Sequence, residues 1–165
     1  MVTNFREVLT LLYDAGADFV VIGGVAMNAH GSAYITLDLD ICYSRSSVSV
    51  RKLTHALAPI HPGLRGAPDD LPFRLDEKTV ATGLNFTLAT DLGDLDLLGE
   101  VKGIGGYEDV LKLSAKNDTY GFPCNFLSIQ GLIRSKRAAG RKKDLDAVAE
   151  LEIMSDLQKK IKEKL

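Results

Sequence analysis

Cysteine is scarce in this chain: Cys42 and Cys124 are the only two. They stand too far apart for a zinc-ligand spacing, and reduced thiols in a cytoplasmic setting are the default for such usage. Histidine is equally sparse, with His30, His55 and His61 and no Cys or carboxylate cluster at metal spacing beside them. No apolar run is long enough to span a membrane, and no signal-peptide pattern opens the chain. There is no internal repeat and no low-complexity segment. Charge of one sign is also missing: with a net charge of −2, no global basic field argues for non-specific nucleic-acid binding.

What is present suits one domain of 165 residues with a single substantial core. Composition is ordinary for a globular chain, 45% hydrophobic and 25% charged. The positive charge is uneven, because residues 134–143 carry six of the 20 Lys and Arg.

The most informative stretch runs from Val20 to Tyr43. It reads as a buried strand, the Gly23-Gly24 turn, a short helix over 24–30, the Gly31-Ser32 corner and a second strand. Asp38 and Asp40 lie two apart on that strand and share one face, while Leu37, Leu39 and Ile41 share the other and are expected to be buried. Two carboxylates about 7 Å apart repel by roughly 2–3 kcal/mol at an effective dielectric of about 20. Either a cation offsets this or one group holds a proton. Mg²⁺ takes oxygen ligands, commonly one or two carboxylates plus substrate phosphates. Glycines let a backbone approach a ligand closely, and Ser32 adds a hydroxyl donor.

The rest of the chain reads as scaffold with exceptions. Spacing predicts helices over 4–15, begun by Asn4 and ended by Gly16, and over 47–58, stopped by Pro59. Val20 to Ile22 belong to an apolar central strand, 19–22. His30 reads as a corner residue satisfied by backbone, and His55 and His61 as surface residues. Residues 61–73, with three prolines and two glycines, predict a long loop, in which Arg65 is the residue best able to touch a phosphate. Residues 84–98 predict a hairpin that places Asp94 and Asp96 on one face of its second strand. Gly103-Ile104-Gly105-Gly106 lacks both the P-loop ending and the dinucleotide order, so it reads as a connection before a helix over 107–112. A strand is expected near 119–127. Ser128 then caps a helix that Gly140 breaks, a second helix carries Leu145, Val148 and Leu151, and the last eleven residues form a polar helix or a frayed end.

Hydrophobic strand, Gly-Gly, a Gly-Ser corner and Thr36-x-Asp38-x-Asp40 together resemble the nucleotidyltransferase fold of the DNA polymerase β superfamily. The resemblance is to its small bacterial members, including the toxin halves of abortive-infection systems. It extends over about residues 17–152, through Asp96-Leu97-Leu98 and through Ser128, Leu132-Ile133, Lys136, Arg141, Lys143 and Asp144 in order. One departure is Tyr34, where such proteins often carry a basic residue. The resemblance implies an α/β (α+β) fold, a small mixed sheet flanked by helices, with a C-terminal helical part over about 128–165. It implies transfer of a nucleoside monophosphate from an NTP such as ATP to an acceptor, with Mg²⁺ or Mn²⁺ held by Asp38, Asp40 and Asp96. Asp96, rather than Asp94, is the third carboxylate in that pattern. Gly23, Gly24, Gly31, Ser32, Lys136, Lys143 and Asp144 are the implied nucleotide-binding residues. The acceptor stays open among an RNA such as tRNA, a protein hydroxyl and a small molecule. The other reading is a non-catalytic nucleotide-binding or partner-binding module, such as one component of a toxin–antitoxin pair with its cognate antitoxin.

Overall fold

The computed structural model describes residues 1–165. Helix α1 (Phe5–Asp14) begins where the Asn4 side chain accepts from the Glu7 N–H at 3.2 Å, a side-chain cap that satisfies one free amide of the first turn. Strand β1 (Phe19–Ile22) is buried along its whole length, as a strand with neighbours on both edges and cover on both faces should be. Helix α2 (Gly23–Ala29) follows without a gap, and β2 (Leu39–Tyr43) returns antiparallel to β1 with Ile22 opposite Asp40. Leu39 and Ile41 are fully buried, but Leu37 is 53% exposed. The expectation for Leu37 fails because the strand begins only at Leu39, and alternation applies only inside a strand.

Helix α3 (Ser47–Leu57) starts at Ser46, whose hydroxyl accepts from the Ser49 N–H. The expected long loop contains a short edge strand, β3 (Gly63–Leu64), and the chain then forms α4 (Glu77–Thr82). Strands β4 (Asn85–Thr90) and β5 (Gly93–Leu98) make the expected hairpin. Residues 100–106 are not a bare connection. They form a two-strand ladder, β6 (Glu100–Val101) with β7 (Gly105–Gly106), leading into α5 (Tyr107–Lys112). Strands β8 (Ser114–Asn117) and β9 (Cys124–Leu127) pair antiparallel. Helix α6 (Ile129–Ala139) is capped by Ser128 and ends at Gly140, in the left-handed region at φ +68°. Helix α7 (Lys142–Glu163) runs through most of the final eleven residues.

The main sheet has the order β3-β4-β5-β2-β1-β9-β8. It is mixed, because β2 runs parallel to β5 and β1 parallel to β9, while the other neighbours are antiparallel. Helices α1 and α3 pack together, as do α3 and α4. Their buried side chains join Leu39, Ile41, Leu95 and Leu97 in one apolar core. On β5 that core takes Leu95 and Leu97, and on β2 it takes Leu39 and Ile41 on either side of Asp40, which leaves Asp40, Asp94 and Asp96 on the opposite face. No helix is long and apolar enough to cross a membrane.

Candidate active site

The parallel pairing of β2 and β5 sets Leu39 beside Leu95 and Asp40 beside Asp96. Leucines and aspartates alternate in step on both strands, so the aspartates of one strand meet those of the other. Asp38 and Asp94, one step back, extend the same acidic face. They line one wall of a cleft of about 470 Å³ through Asp38, Asp40 and Asp96. The facing wall comes from the other end of the chain. It includes Lys102, Lys136, Arg141, Lys143 and Asp144.

Asp40 is the most perturbed acid in this face. Burial, then the charge of Asp96 and a hydrogen bond with it, then the charge of Asp38 raise its pKa to about 7, while Lys136 draws it down. Asp40 therefore takes up a proton far more readily than an ordinary aspartate, through burial and Asp96 more than through Asp38. The backbone beside it is shaped to match. Gly23 has φ +63°, and a Cβ there would collide with the Asp40 carboxylate. At Gly24 a Cβ would lie 2.6 Å from Cβ of Thr36. Glycine at both positions is therefore a packing requirement, and both residues line the cleft.

Gly31 and Ser32 do not line it. Gly31 is exposed with φ +98°. Ser32 donates to Glu150 Oε1 of α7 at 2.6 Å and accepts from the Tyr34 N–H at 3.0 Å. Asn28 completes the corner by donating to the carbonyls of Ser32 and Tyr34. This corner presents Tyr34 to the cleft, where Lys136 Nζ sits 5.9 Å from the ring centroid, within range of a cation–π contact. The unusual tyrosine therefore holds a cation that comes from α6.

Asp144 is 1% exposed. Its carboxylate accepts from Arg141 Nε at 2.6 Å and from the Arg141 backbone N–H at 3.3 Å, and lies 3.6 Å from Lys136 Nζ. Burial pushes its pKa up, but the hydrogen bond and charge of Arg141, with Lys136, outweigh this and hold it below the ordinary carboxylate value. Asp144 is thus the anchor that fixes Lys136 and Arg141 on the cleft wall. Its place in the first turn of α7 adds only a modest dipole effect.

Arg65 is the residue that the sequence undervalued. Its guanidinium donates from Nη2 to Asp96 Oδ1 at 2.7 Å and approaches Asp94 at 3.2 Å and Asp38 at 3.7 Å. An acidic face of four residues calls for a cation, and that was the signal available. Nothing local in the sequence marks Lys102, which the fold brings to the same cleft. His30 is satisfied as expected, its Nε2 lying 2.8 Å from the Leu127 carbonyl oxygen. His61 pairs with Asp91 at an exposed site. Burial raises both thiols to about 12, which leaves Cys42 and Cys124 inert.

By donor type, Asp38, Asp40 and Asp96 fit a hard divalent cation. As the side chains stand, no three carboxylate, His or Cys groups converge on a metal position. A cation would take the place of the proton on Asp40 and draw Asp96 off Arg65.

No protein-family model matches the chain, and no curated protein matches it. Among solved structures it is similar to a provisionally assigned nucleotidyltransferase from Thermotoga maritima. The TM-score is 0.52 at 15% identity, covering 99% of this chain and 96% of that one. At that identity the likeness concerns the fold, and it establishes the α/β nucleotidyltransferase architecture.

Proposed function

We propose that this chain transfers a nucleoside monophosphate from an NTP to an acceptor, with release of pyrophosphate. One observation carries the reading: carboxylates on two adjacent parallel strands face lysines and an arginine across a single cleft. In the proposed reaction an acceptor oxygen attacks the α-phosphorus, and the bond from that phosphorus to the oxygen bridging to the β-phosphate breaks. Asp96 takes the acceptor proton. Lys136 and Lys143 balance the triphosphate charge, and Asp144 keeps Lys136 in place. Gly23 and Gly24 keep side-chain bulk away from Asp40. A divalent cation held by Asp38, Asp40 and Asp96 supplies further neutralisation of phosphate charge. Alignment and charge neutralisation are most of what phosphoryl transfer asks of a protein.

The test begins with calorimetric titration of each NTP, with and without Mg²⁺, into the wild type and the Asp38→Ala/Asp40→Ala variant. Metal-dependent binding that the variant lacks is expected. A search for acceptors with α-labelled NTP follows, offering RNA, protein and small-molecule pools. Asp96→Asn should lower transfer about 10²-fold or more, the scale of a lost general base, while leaving the fold intact. Equal transfer by that variant removes Asp96 from its role.

The second reading is a nucleotide-binding or partner-binding module without catalysis, such as one component of a toxin–antitoxin pair. It is favoured by the carboxylates not converging. It predicts NTP binding with no transfer to any acceptor pool unless a partner protein completes the site.

A further inference from the structure

Arg65 lies where β3 ends. Its backbone N–H donates to the Thr87 carbonyl at 2.9 Å, which continues the pairing of β3 with β4 past Leu64. Thr87 is opposite Asp96, and Asp96 is beside Asp40. Arg65, Thr87, Asp96 and Asp40 therefore form one row across four strands, and the arginine reaches over β4 to the acids.

The guanidinium faces three aspartates and one backbone carbonyl. Nη2 donates to Asp96 Oδ1 and to the Leu88 carbonyl, at 2.7 and 2.9 Å. Nη1 faces Asp38 Oδ2 at 3.7 Å. Nε is buried and makes no well-formed hydrogen bond, yet stands 3.2 Å from Asp94 Oδ2. It meets that carboxylate as a charge rather than along a bond direction. The side chain is only 26% exposed. Three aspartates are thus drawn towards one arginine, two of them among the three proposed metal ligands.

We infer that Arg65 is a resident counter-cation that competes with a divalent metal for Asp38 and Asp96. This rests on the metal-dependent reading above. A guanidinium and a metal ion both need the same carboxylate oxygens, and two cations cannot share them at contact distance without strong repulsion. Asp38 and Asp96 each turn an oxygen towards Arg65, and of the three proposed ligands only Asp40 and Asp96 interact directly, which accounts for their failure to converge on one position. Metal entry requires the contact to Asp96 to open, so Arg65 sets the metal concentration at which the site fills.

The probe is Mn²⁺, followed by the paramagnetic resonance signal of the free ion, on the wild type, Arg65→Gln, Arg65→Lys and Lys102→Gln. Lys102 lines the same cleft and makes no ion pair with a carboxylate, so its variant controls for loss of a nearby charge. Arg65→Gln should bind Mn²⁺ about tenfold more tightly, equivalent to about 1.4 kcal/mol. Lys102→Gln should shift affinity by no more than about twofold. Arg65→Lys keeps the charge but loses the fork, and it should fall between wild type and Arg65→Gln. A second readout is thermal: without metal Arg65→Gln should melt below wild type, and saturating Mn²⁺ should narrow the gap. Equal tightening in Arg65→Gln and Lys102→Gln, or weaker binding in Arg65→Gln, overturns the competition. If wild type binds Mn²⁺ through Asp38 and Asp40 but Arg65→Gln binds no tighter, only the role of Arg65 falls. If neither binds it, the metal-dependent function falls too.

Discussion

Asp40 and Asp144 face the same cleft, and their surroundings push them in opposite directions. Asp40 is raised by burial first and by two neighbouring carboxylates after it, to about 7. Asp144 is also burdened by burial, but Arg141 and Lys136 more than offset it. The signs for stability therefore differ. A raised acid binds its proton more tightly in the folded state, so the contribution of Asp40 is full below its unfolded value near pH 4 and is lost as pH rises through about 7. The contribution of Asp144 is present above its unfolded value and is lost as pH falls through its lower folded value. For metal-free protein, urea denaturation should show stability declining from about pH 5 to about pH 8. In Asp40→Asn that decline should flatten. An unchanged slope would mean that folding does not raise the proton affinity of Asp40.

Among the elements, the α6–α7 turn does the most to shape the site. Gly140 at φ +68° ends α6, and Arg141 and Asp144 then start α7 with their mutual contacts. The turn brings Lys136 of α6 within 3.6 Å of Asp144. A side chain in the left-handed region costs about 1 kcal/mol or more. Gly140→Ala should lower unfolding free energy by about that amount in urea titrations and weaken NTP binding, because the two helices carry the basic wall. Alternation and helical spacing made most long elements readable: α1, α3, the β4–β5 hairpin and the break at Gly140 follow from local pattern. The edge strands β3 and β8 and the short α4 did not. Besides glycine, β3 and β8 hold a single apolar residue each, so no alternation marks them, and β3 pairs along the edge of β4.

For the molecule as a whole, the site depends on which strands become neighbours. The central pair β2–β5 buries Leu95 and Leu97 on one face and carries Asp94 and Asp96 on the other. Core and site are therefore two sides of the same strand. Leu95→Ala should cost about 2–5 kcal/mol of stability. At temperatures where the variant stays folded, NTP binding should suffer less than stability, because the aspartates remain in register. A loss of binding without a loss of stability would show that Leu95 positions the acids more than it supports the core.

The sequence by itself determined which residues bear chemistry locally. Alternation put Asp94 with Asp96, the two-residue spacing kept Asp38 near Asp40 although Asp38 precedes β2, and the glycine positions marked where backbone must pass close to side chains. These are properties of neighbours along the chain, so they can be read from spacing. The tertiary structure decided the rest. It set Asp40 against Asp96 and raised its pKa, removed Gly31 and Ser32 from the cleft wall, and exposed Leu37. It also turned Arg65 from a loop residue into the partner of three aspartates. Those outcomes depend on strand order, register and burial, which arise from contacts between residues distant in the chain.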